Sequence, residues 1–409
     1  MPDWTTHDSL EPILPKRGWL GDYLSFTSNL QACARFRFFS ACCVLGAAIN
    51  NRIYIQRGDA GLLPKLFPNP WVMLLGPPGQ GNKTQTINLA VNCLTQACPE
   101  VKIIADKITP ESLVQALSMP AARGDVISVG PRDATALVKA PELSVLFGKQ
   151  QYNTGMISLV TDLYDYREKW VAETIMRGRN ELRHVCISIL GGSTPDWLQT
   201  MLPQDAFTGG FMSRFVIVEM PPLYLKREGW PTIPESSGWP NLVAGLTEIA
   251  KAKGQFEWSS GAKDAFILEH ESLRPTGDRQ LDSYREREPE QILKVGMCIA
   301  LSEMRTRLEV EDFMESKKIL RALIEEINPR IERLTTHPRM AMVQEIQDIF
   351  RRNGTISEQE LLGRVHRQLS GGEMQFNEAL SILKRTGKIS CTGGTSTNPI
   401  YSLKKEVPK

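Results

Sequence analysis

The segment from Trp71 to Thr84 constrains the fold of this chain more than any other part of the sequence. An apolar run, WVMLL, is followed by the glycine-rich stretch GPPGQGNKT and then by a helical pattern that starts at Thr84. Small residues in such a loop let backbone N–H groups surround phosphate oxygens, while the lysine reaches the outer phosphates. A serine or threonine hydroxyl at the start of the helix binds Mg²⁺. The segment therefore predicts a P-loop that binds ATP with Mg²⁺.

The loop departs by one residue from the common pattern GxxxxGK[ST]. Counting back from Lys83, Asn82 stands in place of the second glycine and Pro77 in place of the first. Asn tolerates a left-handed backbone better than most residues, so Asn82 is a reasonable substitute. The alternative is a Gly/Pro turn that happens to precede a lysine. The expected phosphate-binding residues are Gly76, Gly79, Gly81, Asn82, Lys83 and Thr84, of which Thr84 is also the expected metal ligand.

The order of strand-like and helical patterns predicts an α/β fold. After the P-loop come a helix, the strand VKIIAD, a further helix, and later the apolar runs VCISILGG and FVIVEM. This alternation is typical of a parallel sheet covered by helices. We expect an N-terminal helical collar (1–70), an α/β core (71–225), an all-α lid (226–335) and a C-terminal winged helix (336–409).

Composition limits the classes of protein to which the chain can belong. It is 42% hydrophobic and 23% charged with a net charge of +2, so any contact with a polyanion must come from local basic patches. Its 8 cysteines form no CxxC pair, which favours reduced, buried thiols in a cytoplasmic protein. The longest apolar stretch, 41–49, is far shorter than the roughly 20 residues that cross a bilayer. The sequence MPDWTTHDSLEP lacks the features of an export signal, so we expect no membrane association.

Two segments carry polar residues at the ends of apolar strands. ALVKAPEL ends in Glu142, which can activate a water molecule for attack on phosphate. The aspartate that usually precedes such a glutamate is replaced by Pro141, so the carboxylate that holds magnesium is missing or comes from elsewhere, with Asp162 and Asp165 as candidates. ILGGSTP ends at Thr194, which either senses the γ-phosphate or only caps the next helix.

Arg214, in the segment GGFMSRFVIVEM, directly precedes a very apolar strand. A cation at this place must stay accessible at the start of the strand. It is either a structural arginine or a guanidinium positioned for the phosphate of another subunit.

In this order, the motifs GPPGQGNKT, APEL, STPDWL and GFMSRF resemble those of the MCM-like AAA+ helicases of phages, plasmids and genomic islands. The resemblance extends from about Trp19 to the end of the chain. It implies that Glu142 is the catalytic acid, Thr194 the first sensor and Arg214 the arginine finger. The stretch REPEQILK resembles the part of the MCM lid in which an arginine starts a helix and acts as second sensor. This residue is Arg287, for which membership of a solvated charge cluster is the alternative.

The resemblance implies a ring-forming, ATP-driven DNA helicase that replicates a mobile element. Such a protein is a homo-oligomer, expected to be a hexamer, that acts on single-stranded or forked DNA, with a primase or an initiator as a further partner. Two other functions stay open. One is a nucleotide-dependent initiator or switch that binds DNA without unwinding it, and the other is an AAA+ regulator of transposition or defence.

Two basic segments are candidates for contact with DNA. A hairpin is predicted between Tyr166 and Leu190 with the tip RGRN, which would place Arg177 and Arg179 in the channel of the ring. A solvated surface hairpin is the alternative. The residues Lys384, Arg385 and Lys388 lie where the last predicted helix meets the wing, a region that binds DNA in many winged helices and protein in others.

Overall fold

The computed structural model describes residues 7–58, 63–119, 133–148, 155–174, 178–201, 210–221, 224, 226, 238–276, 279–335, 338–365, 372–395 and 398–403. Over these residues the chain is a mixed α/β protein with a mostly parallel central sheet. It divides into two compact units, Met1–Pro329 and Arg330–Lys409.

The strands up to the second unit are β1 (Ile53–Tyr54), β2 (Trp71–Leu75), β3 (Ile103–Ala105), β4 (Asp133–Ala140), β5 (Arg167–Thr174), β6 (Gly178–Ser193), β7 (Phe215–Glu219), β8 (Gly254–Gln255), β9 (Glu257–Trp258) and β10 (Arg307–Leu308). The α-helices are α1 (Gly18–Phe26), α2 (Ala34–Ile49), α3 (Lys83–Ala97), α4 (Pro110–Ser118), α5 (Leu143–Phe147), α6 (Met156–Asp162), α7 (Pro195–Met201), α8 (Gly238–Ile249), α9 (Ser260–Ser272), α10 (Arg279–Ser302) and α11 (Val310–Thr335).

The central sheet has the order β3-β4-β6-β2-β7, and these strands are all parallel. Parallel strands that are covered on both faces need apolar side chains on both. The sequences WVMLL and FVIVE meet this need, since every residue of β2 and β7 is buried. The helix α2 packs against β2, β4, β6 and β7, and all of its 16 residues are buried. Part of the predicted N-terminal collar therefore belongs to the core.

The strand order inverts between β6 and β2. After β2 the chain continues to β3, at one end of the strand order, and after β6 it continues to β7, at the opposite end. Loops that diverge in this way open a crevice at the carboxyl ends of the strands, where ligands of open α/β sheets bind. The glycine-rich loop follows β2 and therefore lies at this crevice.

The strands β5 and β6 form the hairpin that the sequence predicts between Tyr166 and Leu190. Their antiparallel pairing runs from Arg167 with Val185 to Thr174 with Gly178. The pairing of β4 with β6 begins only at Arg183. The hairpin therefore projects beyond the amino-terminal edge of the sheet. The predicted tip RGRN is wrong in its position, because Gly178, Arg179 and Asn180 already belong to β6 and pair with β5. Residues 175–177 lie outside the described part of the chain.

The sequence predicts that the lid region is all-α. The structure shows that it is mainly helical but also contains three short strands, β8, β9 and β10. The strand β8 pairs with β1, and β9 pairs with β10. These strands are two residues long, too short to show the period of two that marks a strand in a sequence. A second difference concerns Arg287, which lies inside α10 instead of starting a helix. The resemblance to the MCM lid implied a helix start at Arg287, but here the helix begins at Arg279 and contains Pro289 in its interior.

The second unit continues with α12 (Pro338–Asn353), β11 (Thr355–Ser357), α13 (Glu358–Val365), α14 (Gly372–Arg385), β12 (Ile389–Thr395) and β13 (Asn398–Leu403). Its strands form an antiparallel sheet of order β11-β13-β12, and apolar residues of the helices and strands share one core. The N–H of Glu360 donates to Oγ of Ser357 (3.3 Å), as expected for a capping residue before α13. None of the described helices combines the length and apolar character that crossing a membrane requires.

Candidate nucleotide site

The loop between β2 and α3 contains three residues in left-handed backbone conformations. The angle φ is 67° at Gly79, 72° at Gly81 and 48° at Asn82. Asn82 thus has the left-handed conformation that its place in the motif predicts, directly before α3. Gly81 also lacks space for a side chain, because a Cβ there would lie 3.1 Å from Cε2 of Phe36.

Lys83, the first residue of α3, folds back over the loop. Its Nζ donates hydrogen bonds to the carbonyl oxygens of Gly76 (2.8 Å) and Pro77 (2.9 Å), and the residue is only 8% exposed. Burial lowers the pKa of this ammonium group, and the negative charge of Glu142 opposes the shift. The lysine is therefore a partly desolvated cation inside the loop, where an anionic ligand would be attracted strongly.

The N-terminus of α3 offers further donors to an anion. In the part of the chain that is described, the backbone N–H groups of residues 81–85 have no hydrogen-bond partner. Thr84 is exposed at the second position of the helix, so its hydroxyl is accessible to a bound nucleotide. Unpaired N–H groups and the helix dipole together favour phosphate at this place.

The residues at this edge also fit Mg²⁺ that arrives with a nucleotide. No group of three or more His, Cys, Asp and Glu side chains suited to a metal occurs among the described residues. Mg²⁺ bound with a nucleotide takes most of its ligands from phosphate and water and needs only one or two protein oxygens. Thr84 supplies a hydroxyl, and the electrostatic effect of Glu142 on Lys83 places a carboxylate near the loop.

Two glycines of β6 let the segment that follows β4 lie close against the sheet. A Cβ on Gly191 would lie 2.5 Å from Cδ2 of Leu143, and one on Gly192 would lie 2.5 Å from the carbonyl oxygen of Pro141. Since β4 and β2 pair with β6 on opposite sides near its end, Glu142 lies at the same edge as the P-loop, two strands or about 10 Å away. No motif of the sequence indicated that these two glycines place the glutamate.

We expect Gly192→Ala to lower the thermal stability of the protein. The added methyl group would overlap a backbone oxygen that cannot rotate away, and overpacking of this kind costs about 1–3 kcal/mol. Thermal unfolding followed by circular dichroism measures the effect as a fall in Tm. Gly363→Ala is the control, because a Cβ at Gly363 meets no atom within 4 Å. An unchanged Tm for the Gly192 variant would contradict the close approach.

Thr194 follows β6 beside the first residue of the P-loop. Ser193 pairs with Leu75, and its carbonyl oxygen accepts a hydrogen bond from the N–H of Gly76 (3.3 Å). Oγ1 of Thr194 accepts a hydrogen bond from the N–H of Trp197 (3.3 Å), so this residue does cap α7. A hydroxyl that accepts one hydrogen bond still has a proton to donate. The capping role is therefore compatible with contact to a phosphate.

Arg214 and Arg287 lie together at the opposite edge of the sheet. Arg214 directly precedes Phe215, which pairs with Trp71, the first residue of β2. Each of the two arginines lies 3.9 Å from a carboxylate oxygen of Asp165. The P-loop follows the other end of β2, which has 5 residues. The arginines are therefore separated from the P-loop of their own chain by the length of this strand, about 16 Å.

The two arginines and Lys294 surround the ring of Tyr164. The guanidinium carbons of Arg214 and Arg287 lie 5.3 and 5.2 Å from the ring centroid, and Nζ of Lys294 lies at 4.4 Å. Arg214 donates a hydrogen bond to the carbonyl oxygen of Gly210 (2.6 Å), while its buried Nε has no partner in the described part of the chain. Burial, and next the charge of Arg287, lower the pKa of the Arg214 guanidinium. The cluster thus has a surplus of positive charge.

The two carboxylates considered as magnesium ligands lie away from the P-loop. Asp162 accepts hydrogen bonds from the side chains of Arg167 and Trp170 in β5. Asp165 is beside the two arginines at the amino-terminal edge of the sheet. These positions do not fit a metal site at the P-loop of the same chain.

Residues that precede the core also contact the P-loop, although no motif pointed to them. Oε1 of Gln31 accepts a hydrogen bond from the side chain of Asn82 (2.9 Å). Arg35 is fully buried and binds Asp8 (2.9 Å), Glu326 (2.7 Å) and the backbone carbonyl at the end of β7 (3.1 Å). Since a buried guanidinium must be paired, this network fixes the start of the chain, α2 and α11 against the edge that carries the P-loop.

The hairpin residues proposed to bind DNA are described only in part. Arg177 lies outside the described residues. The backbone of Arg179 pairs with Glu173 in the hairpin, and nothing is described of its side chain. Both residues therefore stay predictions.

The basic residues of the second unit differ from one another in their surroundings. Nζ of Lys384 lies 4.5 Å from the ring centroid of Tyr401 and 3.6 Å from a carboxylate oxygen of Glu358. The hydroxyl of Tyr401 donates to the same glutamate (3.0 Å). Arg385 and Lys388 are exposed. Lys384 therefore has a structural role between α13, α14 and β13, whereas the other two present their charges to solvent.

No family model matches this chain, and no curated protein matches its sequence closely enough to be counted.

Proposed function

We propose that this protein is an ATP hydrolase of the AAA+ type that works as a ring of identical chains. The observation that carries the proposal is the separation of two half-sites: the P-loop lies at the carboxyl edge of the sheet, and Arg214 lies at the amino edge. One chain cannot bring this arginine to its own P-loop while the sheet is intact. Two copies in head-to-tail contact can do so, and such contacts close into a ring when the rotation between copies permits.

The residues at the P-loop divide the chemical work. Lys83 and the free N–H groups at the start of α3 bind the phosphates, and Glu142 accepts a proton from the attacking water. Thr194 donates a hydrogen bond to the γ-phosphate. Mg²⁺ held with Thr84 would supply positive charge that stabilises the ADP leaving group. Arg214 and Arg287 of the next chain stabilise the charge that develops on the transferred phosphoryl group.

The architecture is compatible with the MCM-like helicases that the motifs resemble. The P-loop strand lies inside the sheet, and a hairpin directly precedes the residue proposed as first sensor. The second unit has the order helix, strand, helix, helix, strand, strand, with an antiparallel sheet, which is the order of a winged helix. We therefore propose single-stranded or forked DNA as the substrate, with the hairpin in the channel of the ring.

The hairpin proposal predicts that replacing both Arg177 and Arg179 with alanine weakens binding to single-stranded DNA. These arginines would contact phosphate without reading bases. The plot of the logarithm of the binding constant against log[salt] should therefore become less steep by about 0.7 for each lost contact. DNA-stimulated unwinding should disappear, whereas basal ATP hydrolysis should persist because neither residue belongs to the nucleotide site. Titrations of labelled single strands at several salt concentrations measure the slope.

The competing variant replaces two exposed cations of the second unit, Arg385 and Lys388, with alanine. If this variant loses DNA binding while the hairpin variant unwinds DNA normally, the second unit is the principal DNA contact. That result would contradict the hairpin proposal but not the proposed ATPase.

A second candidate function is a nucleotide-dependent initiator that binds DNA without unwinding it. The observation in its favour is Pro141, which stands where a magnesium-binding carboxylate is usual, because slow hydrolysis suits a switch better than a motor. ATP hydrolysis measured with and without single-stranded DNA distinguishes these functions. Stimulation by DNA supports the motor, binding of DNA without turnover supports the switch, and turnover unaffected by DNA supports a regulator of transposition or defence.

A further inference from the structure

The ring of Tyr164 occupies a fixed place at the amino-terminal edge of the central sheet. It is 5% exposed, and it meets the ring of Trp71 edge to face, with centroids 4.8 Å apart and an interplanar angle of 89°. Trp71 is the first residue of β2 and is itself fully buried. Tyr164 is therefore held by the strand that ends in the P-loop, but at the end far from it.

The ring orders cations without neutralising them. Arg214, Arg287 and Lys294 all lie within about 6 Å of its centroid, the range in which the electron-rich face of an aromatic ring attracts a cation. A carboxylate at hydrogen-bond distance would fix the orientation of these groups by itself. The carboxylate oxygens nearest to the two arginines are 3.8 and 3.9 Å away, within ion-pair range but beyond hydrogen-bond distance. They therefore offset part of the positive charge without fixing the guanidinium groups.

Lys294 anchors the arrangement from within the core. It is buried, and its Nζ donates a hydrogen bond to Oδ1 of Asn69 (2.9 Å). The arginines are more accessible, with side chains 11% and 25% exposed, and Nε of Arg214 is without a partner in the described part of the chain. The ring and the lysine are thus the most buried part of the cluster, Arg214 is half-way to the surface, and Arg287 is the most exposed of the three cations.

We infer that Tyr164 is a positioning residue whose ring face orders Arg214 and Arg287 for the phosphates of a nucleotide bound by a neighbouring copy of this chain. The inference rests on the proposed function, since it requires that the two arginines act across a contact between copies. Tyr164 touches neither the nucleotide nor the water. It acts by limiting the orientations of two guanidinium groups that the nearby carboxylates neutralise only in part.

The test compares Tyr164→Leu, which removes the π face, with Tyr164→Phe, which keeps it. We expect Tyr164→Leu to lower the kcat for ATP hydrolysis roughly tenfold or more while the KM changes little, because each chain binds nucleotide through its own P-loop. Tyr164→Phe should retain most of the kcat. Tyr164→Met fills similar space without a π face and provides a second non-aromatic variant should the leucine variant fail to fold.

Mixing experiments separate positioning from a general loss of structure. Tyr164→Leu chains have an intact P-loop, and Lys83→Ala chains have an intact arginine cluster, so contacts between the two kinds of chain should restore turnover. Tyr23→Leu is the matched control, because Tyr23 is also buried against a tryptophan, Trp19, at 5.4 Å, but no cation is described over its ring. This control should lower Tm and leave kcat close to that of the wild type.

Three results would overturn the inference: wild-type kcat for Tyr164→Leu, equal losses for the phenylalanine and leucine variants, or no recovery on mixing. Arg214→Ala, measured in parallel, distinguishes this failure from failure of the proposed function. If Arg214→Ala loses turnover and Tyr164→Leu does not, only the inference about the tyrosine is wrong. If Arg214→Ala itself keeps wild-type turnover, the proposal that two chains together form one nucleotide site is wrong as well.

Discussion

Replacing Arg214 with alanine is expected to lower ATP turnover by a factor on the order of 10³ or more and to leave ATP binding to the same chain unchanged. The reason is geometric. The guanidinium lies at the amino edge of the sheet, separated by the length of β2 from the loop that would hold the nucleotide. Its charge can therefore stabilise a transition state only in another chain, where it contributes to turnover and not to nucleotide binding by its own chain.

Single-turnover hydrolysis and equilibrium binding of a fluorescent ATP analogue measure the two effects separately. Arg307→Ala serves as the control, because the Arg307 side chain is 58% exposed and lies away from the cluster in β10. If Arg214→Ala reduces nucleotide binding and turnover to the same degree, the residue has a structural role within its own chain, and the proposed shared site loses its main support.

The second large effect is expected at the P-loop itself, where Lys83→Ala and Glu142→Gln should differ. Lys83 is a buried cation whose removal leaves the phosphates without their main counter-charge, at a cost of about 2–5 kcal/mol or at least a thirtyfold loss of affinity. Glu142 is exposed and is proposed to act only on the water. Its amide variant should keep ATP binding and lose about 10²- to 10⁴-fold in turnover, the usual contribution of a general base.

Isothermal titration with ATP and steady-state hydrolysis assays distinguish the two variants. Glu168→Gln, at an exposed carboxylate of the hairpin, is the control for the change of charge. Equal loss of ATP binding in the Lys83 and Glu142 variants would refute the division of roles between them.

Local features of the sequence were sufficient to predict the strand β2, the glycine-rich loop and the helix α3 in this order. The apolar strand, the glycines and the start of the helix are consecutive, and the left-handed conformation of Asn82 follows from the place of an asparagine in the motif. The hairpin was predictable for the same reason, because both strands are adjacent in the chain, but its turn was placed too late, since Gly178, Arg179 and Asn180 belong to the second strand. The helix α2 was placed only in a collar, although its sequence is apolar on nearly every side, which is the pattern of a helix buried in the core.

The cation cluster could not be predicted, because its members come from distant parts of the chain. Tyr164, Arg214 and Arg287 meet only after β7 pairs with β2 and α10 packs beside them. The role of Gly192 was hidden for a similar reason, since its contact with Pro141 depends on the pairing of β4 with β6. Arg214 and Arg287 were both candidates from the sequence, but nothing in the sequence indicated that they lie against the same aromatic ring.

The central claim is that two chains build each nucleotide site, and mixing two inactive variants tests it most directly. Arg214→Ala chains retain the P-loop, and Lys83→Ala chains retain the arginine. In equal mixture about one contact in four joins an intact P-loop to an intact arginine, so turnover should recover to about a quarter of the wild-type rate. Size-exclusion chromatography with differently labelled chains verifies that the variants assemble together. If they do assemble together and no ratio of the two restores hydrolysis, the site is not shared between chains and the account is wrong.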